Sequence, residues 1–108
     1  MLILFDQGTP VPIRRFLRGH SIRTAAQEGW DRISNGELII RAEAARFDVL
    51  LTTDKNIEYQ QNIKGRKIAI IVIANAQWPM LQQHVQLVVE AVDAAQPGSY
   101  LLVDTPDQ

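Results

Sequence analysis

The chain of 108 residues has no cysteine, which rules out a disulfide framework and a thiolate metal site. No apolar run approaches the ~18 residues that a membrane span requires, so no membrane is expected among its partners. The amino terminus has no basic stretch ahead of its first apolar run, which argues against a signal peptide. A cytoplasmic protein is the expectation. Basic residues are also missing from one half: all 11 Lys and Arg lie at or before Lys67. Residues 1–67 set 8 acids against them, for +3, whereas residues 68–108 hold 4 acids and no base, for −4. This asymmetry allows a basic face for a polyanion opposite an acidic back, and equally a set of solvated helix faces.

What remains is the composition of a globular protein, with 46% hydrophobic and 21% charged residues. The length is that of one domain, 1–108, too short for two. Its organising stretch is Asp48-Val49-Leu50-Leu51-Thr52-Thr53-Asp54-Lys55-Asn56. Val49 to Thr52 are apolar or β-branched without a break, which suits a strand buried on both faces. The run stops at the carboxylate of Asp54. The chain opens in the same way, with Met1-Leu2-Ile3-Leu4-Phe5 ending on Asp6. Buried strands that each deliver an aspartate at the carboxyl end are how α/β folds build ion and phosphate sites.

The other elements follow in order. Thr9 and Pro10 predict a helix to about Leu17, with Thr9 as its cap, Ile13, Phe16 and Leu17 facing inward, and Arg14, Arg15 and Arg18 outward. His20 to Thr24 predicts a short edge strand, and Gly29-Trp30 a loop that tucks its indole against the body. Ser34-Asn35-Gly36-Glu37 matches a capping box and predicts a helix from Asn35 to about Arg46, apolar along Leu38, Ile39, Ala42 and Ala45. A turn or short helix is expected through Ile57-Glu58-Tyr59-Gln60-Gln61-Asn62. Ile68 to Ile73 reads as a second fully buried strand. Trp78-Pro79 begins the longest helix, with Leu81, Val85, Val88 or Val89, and Val92 at helical spacing. Ser99 to Val103 is the last strand.

Strands and helices alternating at these lengths predict a three-layer α/β/α fold with a five-stranded, mainly parallel sheet. The common order 2-1-3-4-5 sets Asp6 and Asp54 on adjacent strands about 5 Å apart, at the topological switch point. Two carboxylates so placed repel unless a cation lies between them, and Mg²⁺ or Mn²⁺ suits oxygen ligands with several waters. Glu37, in the first turn of its helix, could bring a third carboxylate to the same rim. Such a cluster can activate a water and steady a phosphodiester during hydrolysis, with Arg14, Arg15 or Lys55 neutralising phosphate.

Each residue also has a structural explanation. Asp6 can simply cap a turn, Glu37 can be only the capping-box partner of Ser34, and Asp54 with Lys55 can be an exposed ion pair. Asn56 can offer its carbonyl as a ligand or cap a helix. The aromatic and amides of Tyr59-Gln60-Gln61-Asn62 could stack on and bond to a base or form an exposed polar face. His20 and His84 lack a ligand pattern and read as structural. A receiver-like domain would need an acidic pair after the first strand, where Asp6-Gln7 supplies one acid. A nucleotide-binding domain would need a glycine-rich loop, and Gly8 stands alone.

The segments Leu4-Phe5-Asp6-Gln7-Gly8-Thr9-Pro10, Asn35-Gly36-Glu37-Leu38 and Leu51-Thr52-Thr53-Asp54-Lys55-Asn56 resemble a PIN-like domain of the small bacterial branch related to VapC toxins. Tyr59-Gln60-Gln61-Asn62 resembles one sub-branch. The resemblance spans nearly the whole chain. It implies a Mg²⁺-dependent ribonuclease with acids at the carboxyl edge of the sheet: Asp6 matches the first family acid, Glu37 the helix-borne one and Asp54 the strand-end one. Active relatives usually carry a further aspartate where Asn56 stands, and often one where Asn35 stands. Asn for Asp removes charge while keeping one oxygen ligand, so Mg²⁺ should bind more weakly. The resemblance also implies RNA as substrate and a small antitoxin protein as partner. The alternative is a catalytically degenerate module that binds RNA or a protein without cutting. The apolar strands are compatible with a homo-oligomer.

Overall fold

Three apolar runs offer side chains to both faces, so they can be satisfied only in the middle of a sheet covered on both sides. The computed structural model, which describes residues 1–57, 65–75 and 77–104, has this arrangement. Strands β1 (Leu2–Phe5), β2 (Ser21–Thr24), β3 (Val49–Thr52), β4 (Ala69–Ile73) and β5 (Tyr100–Val103) form one sheet in the order β2-β1-β3-β4-β5. Every pairing is parallel. The strand order is the one expected from the sequence.

Alternation along the strands divides the core in two. Ile3, Phe5, Val49, Leu51, Ile71 and Ile73 point to one face, where they meet Ile13, Leu17, Leu81, Val88 and Val92. Leu4, Leu50, Ile70 and Val72 point to the other, against Leu38, Ile39 and Ala42. Helix α1 (Asn35–Ala44) therefore covers one face. The other is covered by a 3-10 helix (Val11–Phe16), α2 (Trp78–Gln82) and α3 (Val85–Asp93). The protein is a three-layer α/β structure.

A strand buried on both faces has no hydrophobic reason to prefer one register, because a one-residue slip exchanges one apolar side chain for another. The polar ends of β3 supply the reason. Before the strand, Asp48 Oδ2 accepts a hydrogen bond from the Leu2 amide at 2.8 Å. At its end, the Thr52 hydroxyl donates to Asp6 Oδ2. A slip would break both.

Four expectations change. The segment after Thr9 is a 3-10 helix with Pro10 in the cap position. Thr9 is buried and its hydroxyl is used elsewhere. Pro12 sits in the first turn, where its missing N–H costs nothing, and the amides of Ile13 and Leu17 bond three residues back, to Pro10 and Arg14 at 3.2 Å each, which is the tighter coil. Phe16 is 38% exposed and lies against Trp78, ring centroids 6.1 Å apart, whereas Ile13 and Leu17 are buried. Ala45 is the exposed C-cap of α1, not part of its buried side. The long helix divides into α2 and α3 at Gln83-His84. There the amides of Gln83 and His84 bond three residues back, to Met80 and Leu81 (3.3 and 2.9 Å), and tighten the turn until His84 leaves helical geometry. The turn expected through Glu58 and Tyr59-Gln60-Gln61-Asn62 lies outside the described residues. Trp30 behaves as expected and meets Phe47 edge-on at 6.1 Å.

Candidate functional site

The even-numbered residues of β1 and β3 face α1, and the alternation carries on past the strand ends. Leu4 is followed by Asp6, and Leu50 by Thr52 and Asp54. The three polar side chains thus rise in file from the α1 face of the core to the carboxyl edge. Phe5 pairs with Leu51, and the Asp6 amide donates to the Leu51 carbonyl at 3.1 Å, which sets Asp6 beside Thr52.

Thr52 is the joint of the site. It is buried, so its hydroxyl has to find partners within the protein. It donates to Asp6 Oδ2 and accepts from the Asp54 amide at 3.1 Å. The other oxygen of Asp6 is met by the Thr9 hydroxyl at 2.6 Å. That hydroxyl also lies 2.8 Å from the Leu51 carbonyl. Thr9 reaches this position because Asp6 to Thr9 form a turn closed by the Thr9 amide on the Asp6 carbonyl at 3.3 Å. The turn passes so close to the end of β3 that a Cβ on Gly8 would strike Thr53 Oγ1. Any larger residue here would force the Thr53 side chain to turn away.

Asp54 is held from both sides. Its Oδ1 accepts the Asn56 amide at 3.0 Å, an Asx turn, and its Oδ2 accepts the Asn35 side-chain amide. Asn35 is the first residue of α1, so this bond ties the helix start to the strand end. Ser34 caps the helix as expected, its hydroxyl accepting the Glu37 amide at 3.2 Å. Glu37 does not complete the box. Its carboxylate pairs with Arg41 one turn on, at 3.0 Å.

The structure thus brings Asp6 and Asp54 into one hydrogen-bonded network and leaves Glu37 at the same helix start with its carboxylate turned along α1. Among the described residues, no group of three or more His, Cys, Asp or Glu side chains is placed to hold a metal ion. Lys55 and Asn56 are exposed immediately after Asp54. Arg14 and Arg15 are exposed on the 3-10 helix. Arg14 bonds the Ile22 carbonyl at 3.4 Å, level with Ile3 and about 10 Å along the sheet from Asp6.

Two residues escaped the sequence reading, Thr9 and Thr52. A signal for Thr52 was present: a hydroxyl inside a fully buried strand must be bonded, and Asp6 was its nearest expected neighbour. For Thr9 the capping pattern pointed to a hydroxyl that accepts a helix amide, whereas here it is a donor toward Asp6 and the Leu51 carbonyl.

The donor set is all oxygen and includes two carboxylates, which matches a hard divalent ion that keeps several waters. Each carboxylate oxygen here accepts one protein hydrogen bond, and each can accept more. In donor chemistry, though not by any measured spacing, Asp6 and Asp54 suit Mg²⁺ or Mn²⁺. Their surroundings do not assemble the larger acidic cage that a second ion would need.

No protein-family model matches the chain, and neither a curated protein nor a solved structure matches it.

Proposed function

We propose that the chain is a PIN-like domain that hydrolyses RNA phosphodiester bonds with Mg²⁺ or Mn²⁺ held by Asp6 and Asp54. The observation that carries this reading is the Thr52 hydroxyl, which joins the Asp6 carboxylate to the Asp54 backbone amide and so ties the ends of two adjacent strands together at the switch point of a parallel sheet. When bound, such an ion lowers the pKa of a coordinated water and offsets charge on phosphate oxygens. The protein's own part is orientation. Thr9 and Thr52 aim Asp6, Asn35 and the Asn56 amide aim Asp54, and Lys55 offers a cation to the phosphate beside them. Glu37 can join by exchanging Arg41 for the site, at small cost because the pair is exposed and such pairs contribute ~0.3–0.5 kcal/mol. Arg14 and Arg15 serve in this reading as contacts for a longer RNA, away from the cleaved bond. Action on RNA suits a cytoplasmic protein. The toxin half of a toxin–antitoxin pair, inhibited by a small antitoxin protein, is the role the PIN-like resemblance suggests.

The test is cleavage of a structured RNA with and without Mg²⁺. Cleavage should require the ion and fall at least about 100-fold in Asp6→Ala. Metal-independent cutting, or cutting that persists in Asp6→Ala, defeats the proposal. A second reading has its own observation. All four oxygens of Asp6 and Asp54 accept bonds within the protein, and Asn35 and Asn56 stand where the PIN-like resemblance implies acids. That combination favours a module that binds RNA or a protein partner without cutting. RNA retained in a mobility shift, with no product at millimolar Mg²⁺, would select it.

A further inference from the structure

The 3-10 helix carries more positive charge than its surroundings answer. Arg14, Arg15 and Arg18 stand within five positions, and all three are exposed. Residues 7–27 contain no acid, and residues 68–89, which include α2, contain no Asp, Glu, Lys or Arg. Among the described residues, none of the three arginines is in an ion pair. Arg14 spends one nitrogen on the Ile22 carbonyl at 3.4 Å. The acids of α3 are directed elsewhere: Glu90 lines a groove between that helix and β5, and Asp93 bonds His20 at 3.2 Å. Like charges this close repel one another in the free protein, and a polyanion relieves the repulsion.

Aromatic rings stand among these charges. The 3-10 helix and α2 cover the same sheet face through Ile13, Leu17 and Leu81. At three residues per turn Phe16 follows Ile13 on one side of the coil, yet Ile13 is buried and Phe16 is 38% exposed. Its ring meets the partly buried Trp78 at 6.1 Å and 48°, a tilted pair at the surface. Arginines alone would suit phosphate of any kind. Exposed rings beside them answer a second chemistry, the π-faces of unpaired bases. A duplex keeps those faces stacked inside.

We propose that the 3-10 helix and the start of α2 bind single-stranded RNA, its bases stacking on Phe16 and Trp78 and its phosphates meeting Arg15 and Arg18. That the strand is RNA rather than DNA rests on the function proposed above; the surface itself does not depend on the metal site. Trp78 opens α2 shortly after β4 leaves the carboxyl edge, and Arg14 lies about 10 Å along the sheet from Asp6. One strand can therefore lie on the rings and reach Asp6 and Asp54. The substrate class is an unpaired segment, such as the loop of a structured RNA.

The test is fluorescence anisotropy of a labelled oligouridine of about 12 nucleotides, with the full chain in EDTA so that no divalent ion takes part. The wild type should bind it saturably and at least about tenfold tighter than duplex RNA of the same length. Phe16→Ala should weaken binding at least about fivefold. Arg15→Gln, at an exposed position, should lower the affinity and flatten its salt dependence by about one counterion; it carries the test should Phe16→Ala disturb the packing of Trp78. A wild type that ignores oligouridine at low salt overturns the proposal. So does one that binds the duplex as tightly or the same sequence as DNA more tightly, and so does unchanged affinity in Arg15→Gln. Failure here is separable from failure of the nuclease reading. A protein that binds oligouridine but never cuts RNA keeps this surface and loses that reading, whereas one that cuts RNA but binds equally well in both variants does the reverse.

Discussion

The two ends of the sheet both carry acids, and they use them differently. At the amino edge, Glu43 Oε2 accepts the backbone amides of Lys67 and Ile68 at 2.6 and 3.3 Å, and Asp48 accepts that of Leu2. These acids satisfy N–H groups at strand starts, which the fold exposes whatever the protein does. At the carboxyl edge, Asp6 and Asp54 take most of their bonds from side chains: Thr9, Thr52 and Asn35. These bonds lie outside the backbone ladder, and they orient the carboxylates as well as holding the register of β3. Shape does not make the distinction. A cleft of about 570 Å³ opens at the amino edge, between Phe47, Lys67 and Pro97, whereas ligands of open parallel sheets bind at the opposite end. The chemistry of the hydrogen-bond donors is the better guide to the site.

The sharpest way to break this contrast is to damage the amino edge and watch the site. Gly98 has φ +78°, and a Cβ there would lie 2.7 Å from the Arg66 carbonyl oxygen. Gly98→Ala should therefore cost about 2–3 kcal/mol in urea unfolding. The folded fraction should keep whatever metal affinity the wild type has.

Glu43→Ala comes next, at about 1–2 kcal/mol, because it leaves the Lys67 and Ile68 amides without their acceptor. It also has a pH signature. The Lys67 amide holds the Glu43 carboxyl below the usual carboxylate range, against the opposing effect of burial, with help from the Ile68 amide and Arg66. A depressed folded-state pKa gives stability that is present above the unfolded-state value and lost as pH falls through the folded one. The variant should thus flatten the acid limb of the stability curve and change the neutral limb only by a constant offset.

Thr52→Val, which keeps the shape of the residue, should cost about 1 kcal/mol. Its larger effect should be on divalent-ion binding, since Asp6 loses the hydroxyl that aims it. Smallest is Arg46→Gly. Arg46 ends α1 at φ +68°, with its amide on the Glu43 carbonyl at 3.0 Å and that of Phe47 on Ala42 at 2.9 Å. That Schellman turn prefers glycine, so the melting midpoint should rise by the equivalent of about 0.5–1 kcal/mol.

Strands β1, β3 and β4 were legible because their apolar or β-branched runs are unbroken and give way to the polar residues Asp6, Asp54 and Asn75. Their order followed from the common winding of a five-stranded parallel α/β sheet. The helices were less so. Leu81, Val88 and Val92 hold helical spacing across Gln83-His84, and the pattern does not register a two-residue break. In the site, Asp6 and Asp54 could be read because each terminates a buried run. The direction of Glu37 could not, since the sequence offers it Ser34 at three residues' distance and Arg41 at four, and only the folded helix decides between them. The close approaches at Gly8 and Gly98 depend on segments remote in the chain and left no local mark.

In the proposed function, the Asp6 carboxylate aimed by Thr52 and the Asp54 carboxylate aimed by Asn35 hold one divalent ion. Titration of Mn²⁺ into the wild type and Asp54→Asn, followed by calorimetry and by paramagnetic relaxation of water, tests it directly. A single saturable site in the wild type that is lost in Asp54→Asn is the predicted result. No binding at millimolar Mn²⁺, or equal binding in both proteins, would contradict it.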